Sequence, residues 1–293
     1  MKKTAKKFSR VGLIGNPEKP AFRDVIQQAV TLISRSGRKV CCDAVTSGFA
    51  GLTCSANPNV SALAREVDLL VVFGGDGTIL RVARDIAGSR TPILGINIGG
   101  LGFLTAASAK ALATALQAVW EGKYVLESRA LIEARGETAG GKFRHRALND
   151  FVVSRSAPRL VELEVSVNGQ PLTQYRADGL IVSSPTGSTA YSLAAGGAII
   201  SPQAEVFALT PICPHTLSNR SLILDFKSTI GIKVINPRPA TVLSGDGQTL
   251  HELVAGDLLT IQRSRFAIRL MHLAGTSFFD TLRAKLYWRG ASV

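Results

Sequence analysis

Asp68-Leu69-Leu70-Val71-Val72-Phe73-Gly74-Gly75-Asp76-Gly77-Thr78-Ile79-Leu80-Arg81-Val82-Ala83 is the stretch that decides the fold. Its apolar run from Leu69 to Phe73 predicts a strand buried on both faces. Its last part, from Thr78, predicts a helix running to Ala87 with Ile79, Val82, Ala83 and Ile86 inward. Between them lie three glycines around one carboxylate, Asp76. Glycine loses the most backbone entropy on folding, so such a loop implies that backbone must approach something closely. A phosphate chain is one such partner; a tight strand-to-helix turn with a solvated Asp76 is the other reading.

Working outward, Val11 to Asn16 predicts a first strand ended by Asn-Pro. Phe22, Val25, Ile26, Ala29, Leu32 and Ile33 mark one helix face, with Gly37 as its C-terminal cap. Lys39 to Asp43 predicts a second strand. Thr46 to Asn59, rich in small residues, is expected to be a surface loop, and Ser61 to Glu66 a short helix. Beyond Asp76, Pro92 to Asn97 predicts a strand that enters a second glycine loop, Gly99-Gly100-Leu101-Gly102-Phe103-Leu104. A helix from Ser108 to Trp120 follows, with Gly122 after it. This alternation predicts a parallel sheet with helices on both faces. Ligands of such sheets bind beyond the carboxyl ends of the strands, where both glycine loops lie. From Tyr124 to about Ile268 the pattern becomes short alternating strands, with turns such as Asn168-Gly169, and predicts antiparallel β structure. Phe278 to Val293 is expected to form a helix returning to the first domain. The expected domains are therefore residues 1–124 (α/β), 125–270 (all-β) and 271–293 (the returning segment).

The 293 residues carry 34 Lys+Arg against 21 Asp+Glu, a net charge of +13, which favours anionic partners. The cations are scattered, apart from Lys2, Lys3, Lys6, Lys7 and Arg10, which read as a solvated tail. No nucleic-acid-binding motif stands out, so no nucleic-acid partner is expected. Cys41, Cys42, Cys54 and Cys213 contain no Cys-x-x-Cys pair and the histidines are far apart, which argues against a zinc site or disulfide framework. The chain has no apolar run of membrane-spanning length and no signal-peptide pattern. A soluble cytoplasmic protein is expected, with no membrane partner.

The second informative stretch is Tyr175-Arg176-Ala177-Asp178-Gly179-Leu180-Ile181-Val182-Ser183-Ser184-Pro185-Thr186-Gly187-Ser188-Thr189-Ala190-Tyr191-Ser192-Leu193-Ala194-Ala195-Gly196-Gly197. Its hydroxyls and glycine-rich backbone suit ribose, an adenine edge or phosphate oxygens. Tyr191 can stack on a ring. The alternative is a Ser/Thr-capped helix start with Tyr191 half in the core. There is no Walker-A motif. Gly100-Leu101-Gly102 begins like a dinucleotide fingerprint but lacks the third glycine.

Taken together, these blocks resemble the bacterial NAD kinases, which phosphorylate the adenosine-ribose 2′-hydroxyl of NAD to make NADP. Gly74 to Thr78, Asn149-Asp150, Arg176 to Gly197 and Ser244-Gly245-Asp246-Gly247-Gln248 match in order, and Pro211 to Ser218 resembles a further family stretch. The resemblance implies a two-domain fold, a Rossmann-like parallel α/β domain followed by an all-β domain, with the active site between them. It implies Asp76 as general base and Gly74, Gly75, Gly77 and Thr78 as the phosphate loop. The implied NAD contacts are Asp76, Gly77, Arg81, Asn149, Asp150, Arg159, Arg176, Asp178 and Gln248. Thr189, Ala190, Tyr191 and Ser192 would line the adenine pocket, and Leu193 and Ala194 are further implied NAD contacts. Arg81 can equally belong to a solvated helix face, and Asp150 is shorter than the family's frequent Glu. ATP is the implied phosphoryl donor, accompanied by a divalent cation, Mg²⁺ or Mn²⁺, with no dedicated cluster of metal ligands. A homodimer or homotetramer is implied. A lipid or sphingoid kinase shares the Gly-Gly-Asp-Gly loop, and a non-catalytic NAD(P)-binding regulator is the alternative from another class.

Overall fold

Leu69 to Phe73 are completely buried, as the unbroken apolar run predicts. The computed structural model describes residues 8–100, 102–138, 141–156, 159–215, 220–235 and 241–288. The lysines of the N-terminal tail, Leu101 of the second glycine loop and residues 216–218 therefore lie outside the described residues. The chain divides into two compact units, Met1–Ser128 with Ile268–Val293, and Arg129–Ala267.

In the first unit, β1 (Arg10–Gly15), α1 (Phe22–Arg35), β2 (Lys39–Asp43), α2 (Ala44–Ala50), β3 (Ser55–Asn57), α3 (Val60–Glu66), β4 (Leu69–Phe73), α4 (Asp76–Asp85) and β5 (Ile93–Asn97) alternate. The strands pair in parallel in the order β3-β2-β1-β4-β5. A short β6 (Ala107–Ser108) pairs with β5 and leads to α5 (Leu112–Trp120). Helices cover both faces of this sheet. Val11, Leu13, Leu94 and Ile96 pack with Ile26 and Ile33 of α1 and Leu112 and Leu116 of α5. On the other face, a Cβ at Gly12 would meet Leu63 of α3, 3.1 Å away, and one at Gly95 would meet Ile79 of α4, 2.5 Å away. Both strand glycines let a helix sit closer than a side chain would allow.

Two local expectations are corrected. Residues 46–59 are not a loop throughout. Asp43 accepts the Thr46 amide (3.2 Å) and so caps α2, Gly51 ends it at φ 63°, and Ser55–Asn57 pairs with β2. A seven-residue helix is too short to carry much periodic signal, so the caps and packing decide it. The helix expected from Thr78 begins two residues earlier, at Asp76, with Gly75 as its N-cap. Asp76 is thus the first residue of α4, at the positive end of the helix dipole.

In chain order the remaining elements are β7 (Tyr124–Thr138), β8 (Gly141–Ala147), β9 (Asp150–Arg155), β10 (Val161–Val167), β11 (Gln170–Ala177), β12 (Gly179–Ser183), α6 (Tyr191–Ala194), β13 (Val206–Ile212), β14 (Leu222–Asp225), β15 (Ile230–Val234), β16 (Thr241–Gly245), β17 (Gln248–Leu253), β18 (Leu258–Leu273) and α7 (Phe278–Leu286). In the second unit one antiparallel sheet has the order β14-β13-β12-β9-β16-β17. Antiparallel pairs β10–β11, β10–β15, β15–β18 and β7–β8 form the other layer. Phe151, Val153, Leu180, Val182, Phe207 and Leu209 of the former face Leu163, Val165, Ile230, Ile232 and Ile261 of the latter in one core. The Asn168-Gly169 turn joins β10 to β11 with positive φ at both residues, 53° and 78°, the pair of angles a type I′ hairpin needs.

β18 is a long strand of 16 residues. It continues to Leu273 because Arg263, Arg265 and Arg269 are exposed while Ser264, Ile268 and Leu270 turn inward. Its end, Leu270, pairs in parallel with Ile93 of β5. α7 starts on a Ser277/Asp280 capping box, and its Phe278 ring lies 6.2 Å from that of Phe103. No helix among the described residues is long and apolar enough to cross a membrane.

Gly95→Ala tests the close packing around β5. Its Cβ would stand 3.0 Å from the Thr105 Cα and 3.1 Å from the Leu104 carbonyl, both main chain and unable to rotate away. A loss of about 1–3 kcal/mol in unfolding free energy is expected. A urea midpoint equal to that of the parent protein would contradict this packing.

Candidate active site

The β4–α4 turn and the second glycine loop form one structure. The Gly74 amide donates to the Ile96 carbonyl (2.9 Å), which ties the turn to β5. A Cβ at Gly74 would overlap Thr78, which is buried against it. The Asp76 carboxylate accepts two main-chain amides from the other loop. Oδ2 takes Phe103 N–H at 2.9 Å and Oδ1 takes Leu104 N–H at 3.0 Å. Bonds to a carboxylate are stronger than neutral ones, and this pair fixes both the position and the rotation of the group. Gly102 makes the approach possible, because any Cβ there would overlap the Asp76 carboxylate. The loop is braced by Gly102 N–H on Thr105 Oγ1 (2.8 Å) and by Asn97, which bonds both Gly99 and Gly100.

Gly75 and Gly77 differ from these glycines. A Cβ on either would meet nothing within 4 Å, and neither has a positive φ. Neither the fold nor the backbone angles require glycine there, so the open rim around the α4 N-terminus is suited to a close external approach, as anions make to helix N-termini. Arg81 is half-buried on α4 and, with Arg84, lowers the carboxyl of Asp85, which burial raises more strongly.

In the second unit the sequence blocks converge on Leu148-Asn149-Asp150, at the start of β9. The β16–β17 hairpin turns at Asp246 and Gly247, with φ 49° and 76°. The turn places the Asp246 carboxylate on the amides of Asn149 (2.7 Å) and Leu148 (3.1 Å). The Asp246 amide returns a bond to the Asp150 carbonyl (3.1 Å). From the other side, Ser184 N–H donates to the Asn149 carbonyl (2.8 Å) and Ser184 Oγ to that of Leu148 (2.5 Å). A Cβ at Gly187 would overlap the Asn149 main chain. Asp150 is 4 % exposed, and its carboxyl is raised to about 7, first by burial and then by the nearby Asp246 charge. Asn149 is half-buried, and Gln248 is exposed at the start of β17.

The hydroxyl-rich stretch divides in two. Ser183, Ser184 and Ser188 are buried and bonded to main-chain carbonyls, so their hydroxyls build the turn, as in the helix-start reading. Ser192 is also buried, in a chain of hydroxyls through Thr210 (3.0 Å) to Ser221 (2.7 Å). Tyr191, in contrast, is 48 % exposed and not core. Thr189, Ala190 and Leu193 are half-buried, and Ala194 is exposed. Asp178 is gripped by a two-point fork from Arg155 (2.7 and 3.2 Å), and Arg176 pairs with Glu162 (3.4 Å) across β10–β11. Arg159 is exposed in the connection between β9 and β10. Among the described residues, no hydrogen bond or ion pair joins Arg159, Arg176 or Asp178 to the Asn149–Asp150 junction.

Gly102 and Asp246 are the residues that sequence reasoning passed over. Both stood inside quoted motifs, but their partners are far away in the chain. Among the described residues, surface cavities also lie elsewhere. One of about 510 Å³ is lined by Phe226, Lys227, Arg263 and Arg265, and one of about 490 Å³ by Gln27, Arg38, Gly51 and Cys54. No group of three or more His, Cys, Asp or Glu able to hold a metal occurs among the described residues.

The ATP-NAD kinase N-terminal domain matches residues 11–124, and the ATP-NAD kinase C-terminal domain matches residues 148–273. An NAD kinase of Cupriavidus pinatubonensis is 39% identical over 283 residues, 96% of this chain and 92% of that protein. The chain belongs to the ATP-NAD kinase family. An NAD kinase of Geobacter metallireducens is 41% identical over 243 residues, 82% of this chain and 84% of its own. Yeast NADH kinase, solved with NADH, superposes with a TM-score of 0.88 at 26% identity, over 99% of this chain and 90% of that one. An Archaeoglobus fulgidus NAD kinase solved with ATP shares the fold, with a TM-score of 0.73 at 23% identity, over 96% of this chain and 100% of that one. The two-part family fold is the α/β unit and the all-β unit described above, and as a member of this family the chain is a phosphotransferase.

Burial of Asp150 predicts a pH dependence of stability. An aspartate titrates near 4 in an unfolded chain, and this one near 7 when folded. Between those values the folded state holds more protons. The contribution of Asp150 is therefore full below about pH 4, falls as pH rises to about 7 and is level above. Urea unfolding of the parent protein and of Asp150→Asn should show the parent losing stability relative to the variant across that window. A constant difference between the two would contradict it.

Proposed function

We propose that the protein transfers the γ-phosphoryl group of ATP to the 2′-hydroxyl of the adenosine ribose of NAD, giving NADP and ADP, with Asp76 as general base. The supporting observation is the Asp76 carboxylate, held by two amides at an open, glycine-rimmed helix N-terminus. Each carboxylate oxygen keeps a lone pair beyond its amide bond. One of them accepts the 2′-hydroxyl proton as that oxygen attacks the γ-phosphorus. The new O–P bond forms as the β–γ bridging bond breaks, and ADP leaves with its electron pair. Such transfer needs positioning and charge stabilisation more than covalent chemistry from the protein.

In this reading Gly74, Gly75, Gly77 and Thr78 form the phosphate turn, with Arg81 beside it. Asn149, Asp150 and Gln248 bond the NAD ribose region. Thr189, Ala190 and Tyr191 receive the adenine, with the exposed Tyr191 ring free to stack, Leu193 and Ala194 lie beside them, and the buried Ser192 supports their backbone from within. Asp178 acts through its fork with Arg155, and Arg159 and Arg176 remain exposed cations for the nucleotide's phosphates. The divalent cation, Mg²⁺ or Mn²⁺, enters with the triphosphate, as Mg²⁺ commonly does. A cytoplasmic homodimer or homotetramer accompanies this reading on resemblance alone.

The test is formation of NADP from NAD, ATP and Mg²⁺ by the purified protein, and its response to Asp76→Asn. The substitution is expected to lower kcat by about two to four orders of magnitude while NAD binds nearly as before. Absence of NADP formation by folded parent protein would refute the kinase. Activity within a few-fold of the parent in the variant would remove Asp76 as base.

A further inference from the structure

We infer that Asp246 is a positioning residue for the NAD site: its carboxylate fixes the Asn149–Asp150 pair through the amides of Leu148 and Asn149. The inference rests on the assignment of Asn149 and Asp150 to NAD binding made above, and it adds a residue that touches no reacting atom.

The geometry is specific. Asn149 N–H reaches Asp246 Oδ1 at 2.7 Å, and Leu148 N–H lies 3.1 Å from both carboxylate oxygens. The return bond from Asp246 N–H to the Asp150 carbonyl, 3.1 Å, closes the loop over three consecutive residues of the partner segment. Asp246 has φ 49°, a left-handed conformation that aspartate tolerates better than most residues. With Gly247 at φ 76° it makes the two-residue turn that aims the carboxylate at the junction. Leu148 and Asn149 precede β9 and lie outside its ladder, so Asp246 supplies acceptors that the sheet does not. Asn149 and Asp150 then project from a main chain pinned by Asp246 on one side and by Ser184 and Gly187 on the other.

The same carboxylate has an electrostatic consequence. Asp246 is the charged group whose field acts on Asp150, and it adds to the effect of burial in favouring the neutral acid. Two substitutions separate the roles. Asp246→Asn keeps an oxygen that can accept the two amides but removes the charge. Asp246→Ala removes both and leaves the amides without their acceptor.

The experiment is calorimetric titration with NAD across pH, which needs no turnover. In the parent protein a ribose hydroxyl donating to Asp150 favours the carboxylate, so affinity should rise as pH passes through about 7. In Asp246→Asn that rise should move to lower pH by about one unit, because a repelling charge is gone, with affinity on the high-pH plateau within a few-fold of the parent. Asp246→Ala should bind NAD about tenfold more weakly on the same plateau, with the calorimetric Kd for ATP unchanged. An unmoved pH limb in Asp246→Asn, or equal losses for NAD and ATP in Asp246→Ala, would overturn the inference. If Asp246→Ala does not fold, the Asp246→Asn profile decides alone. A parent protein that binds NAD with this profile but forms no NADP would refute the kinase reading and leave the positioning role standing.

Discussion

The first unit depends on a carboxylate bonded to main chain. Asp76 opens α4, and its two oxygens are taken by the Phe103 and Leu104 amides of a loop some 27 residues further on. The two amides and the glycine that admits them hold the carboxylate in one place and one orientation. Much of the surrounding architecture serves that contact. β4 and β5 run side by side, so the two loops leave the sheet together. The Gly74 amide is tied to the Ile96 carbonyl (2.9 Å), Thr105 supports Gly102, and Phe278 of α7 lies beside Phe103. The general-base role proposed for Asp76 would benefit from such restraint, because the carboxylate is already held in place.

The second unit uses the same device for a different purpose. Asp246 also spends its oxygens on the amides of a distant segment, and so shapes the junction that carries Asn149 and Asp150. The cost appears at Asp150, buried beside a second carboxylate and raised to about 7. Burial and the neighbouring Asp246 carboxylate together make Asp150 the group of this junction that responds to pH near the physiological range. The buried serines of the Ser183–Ser188 turn complete it as scaffold, whereas Tyr191 further along the chain is exposed.

Much of this was legible in the sequence. Leu69 to Phe73 read as a buried strand because all its residues are apolar, and the strand has those bounds. α2 was not legible, since Ala44–Ala50 has no apolar stripe and is set by the Asp43 cap and by Gly51. The far half of β18 was obscured by outward-facing arginines. The motifs were visible as blocks, but the division of labour inside them was not. Gly75 and Gly102 look alike in the chain, yet one faces open space and the other would overlap Asp76. The hydroxyls of Ser184 and Ser192 looked available for a ligand and are internal. Each of these distinctions depends on a partner tens of residues away or on burial, which local patterns do not encode.

The central claim is that the amide-held carboxylate of Asp76 must stand where it does for phosphoryl transfer. Gly102→Ala tests this most directly, because its Cβ would displace the carboxylate without altering Asp76 itself. Steady-state NADP formation should show kcat lower by about a hundredfold or more, with calorimetric NAD affinity within a few-fold of the parent protein and an unchanged far-ultraviolet spectrum. A variant that folds, binds NAD and turns over at nearly the parent rate would contradict the account.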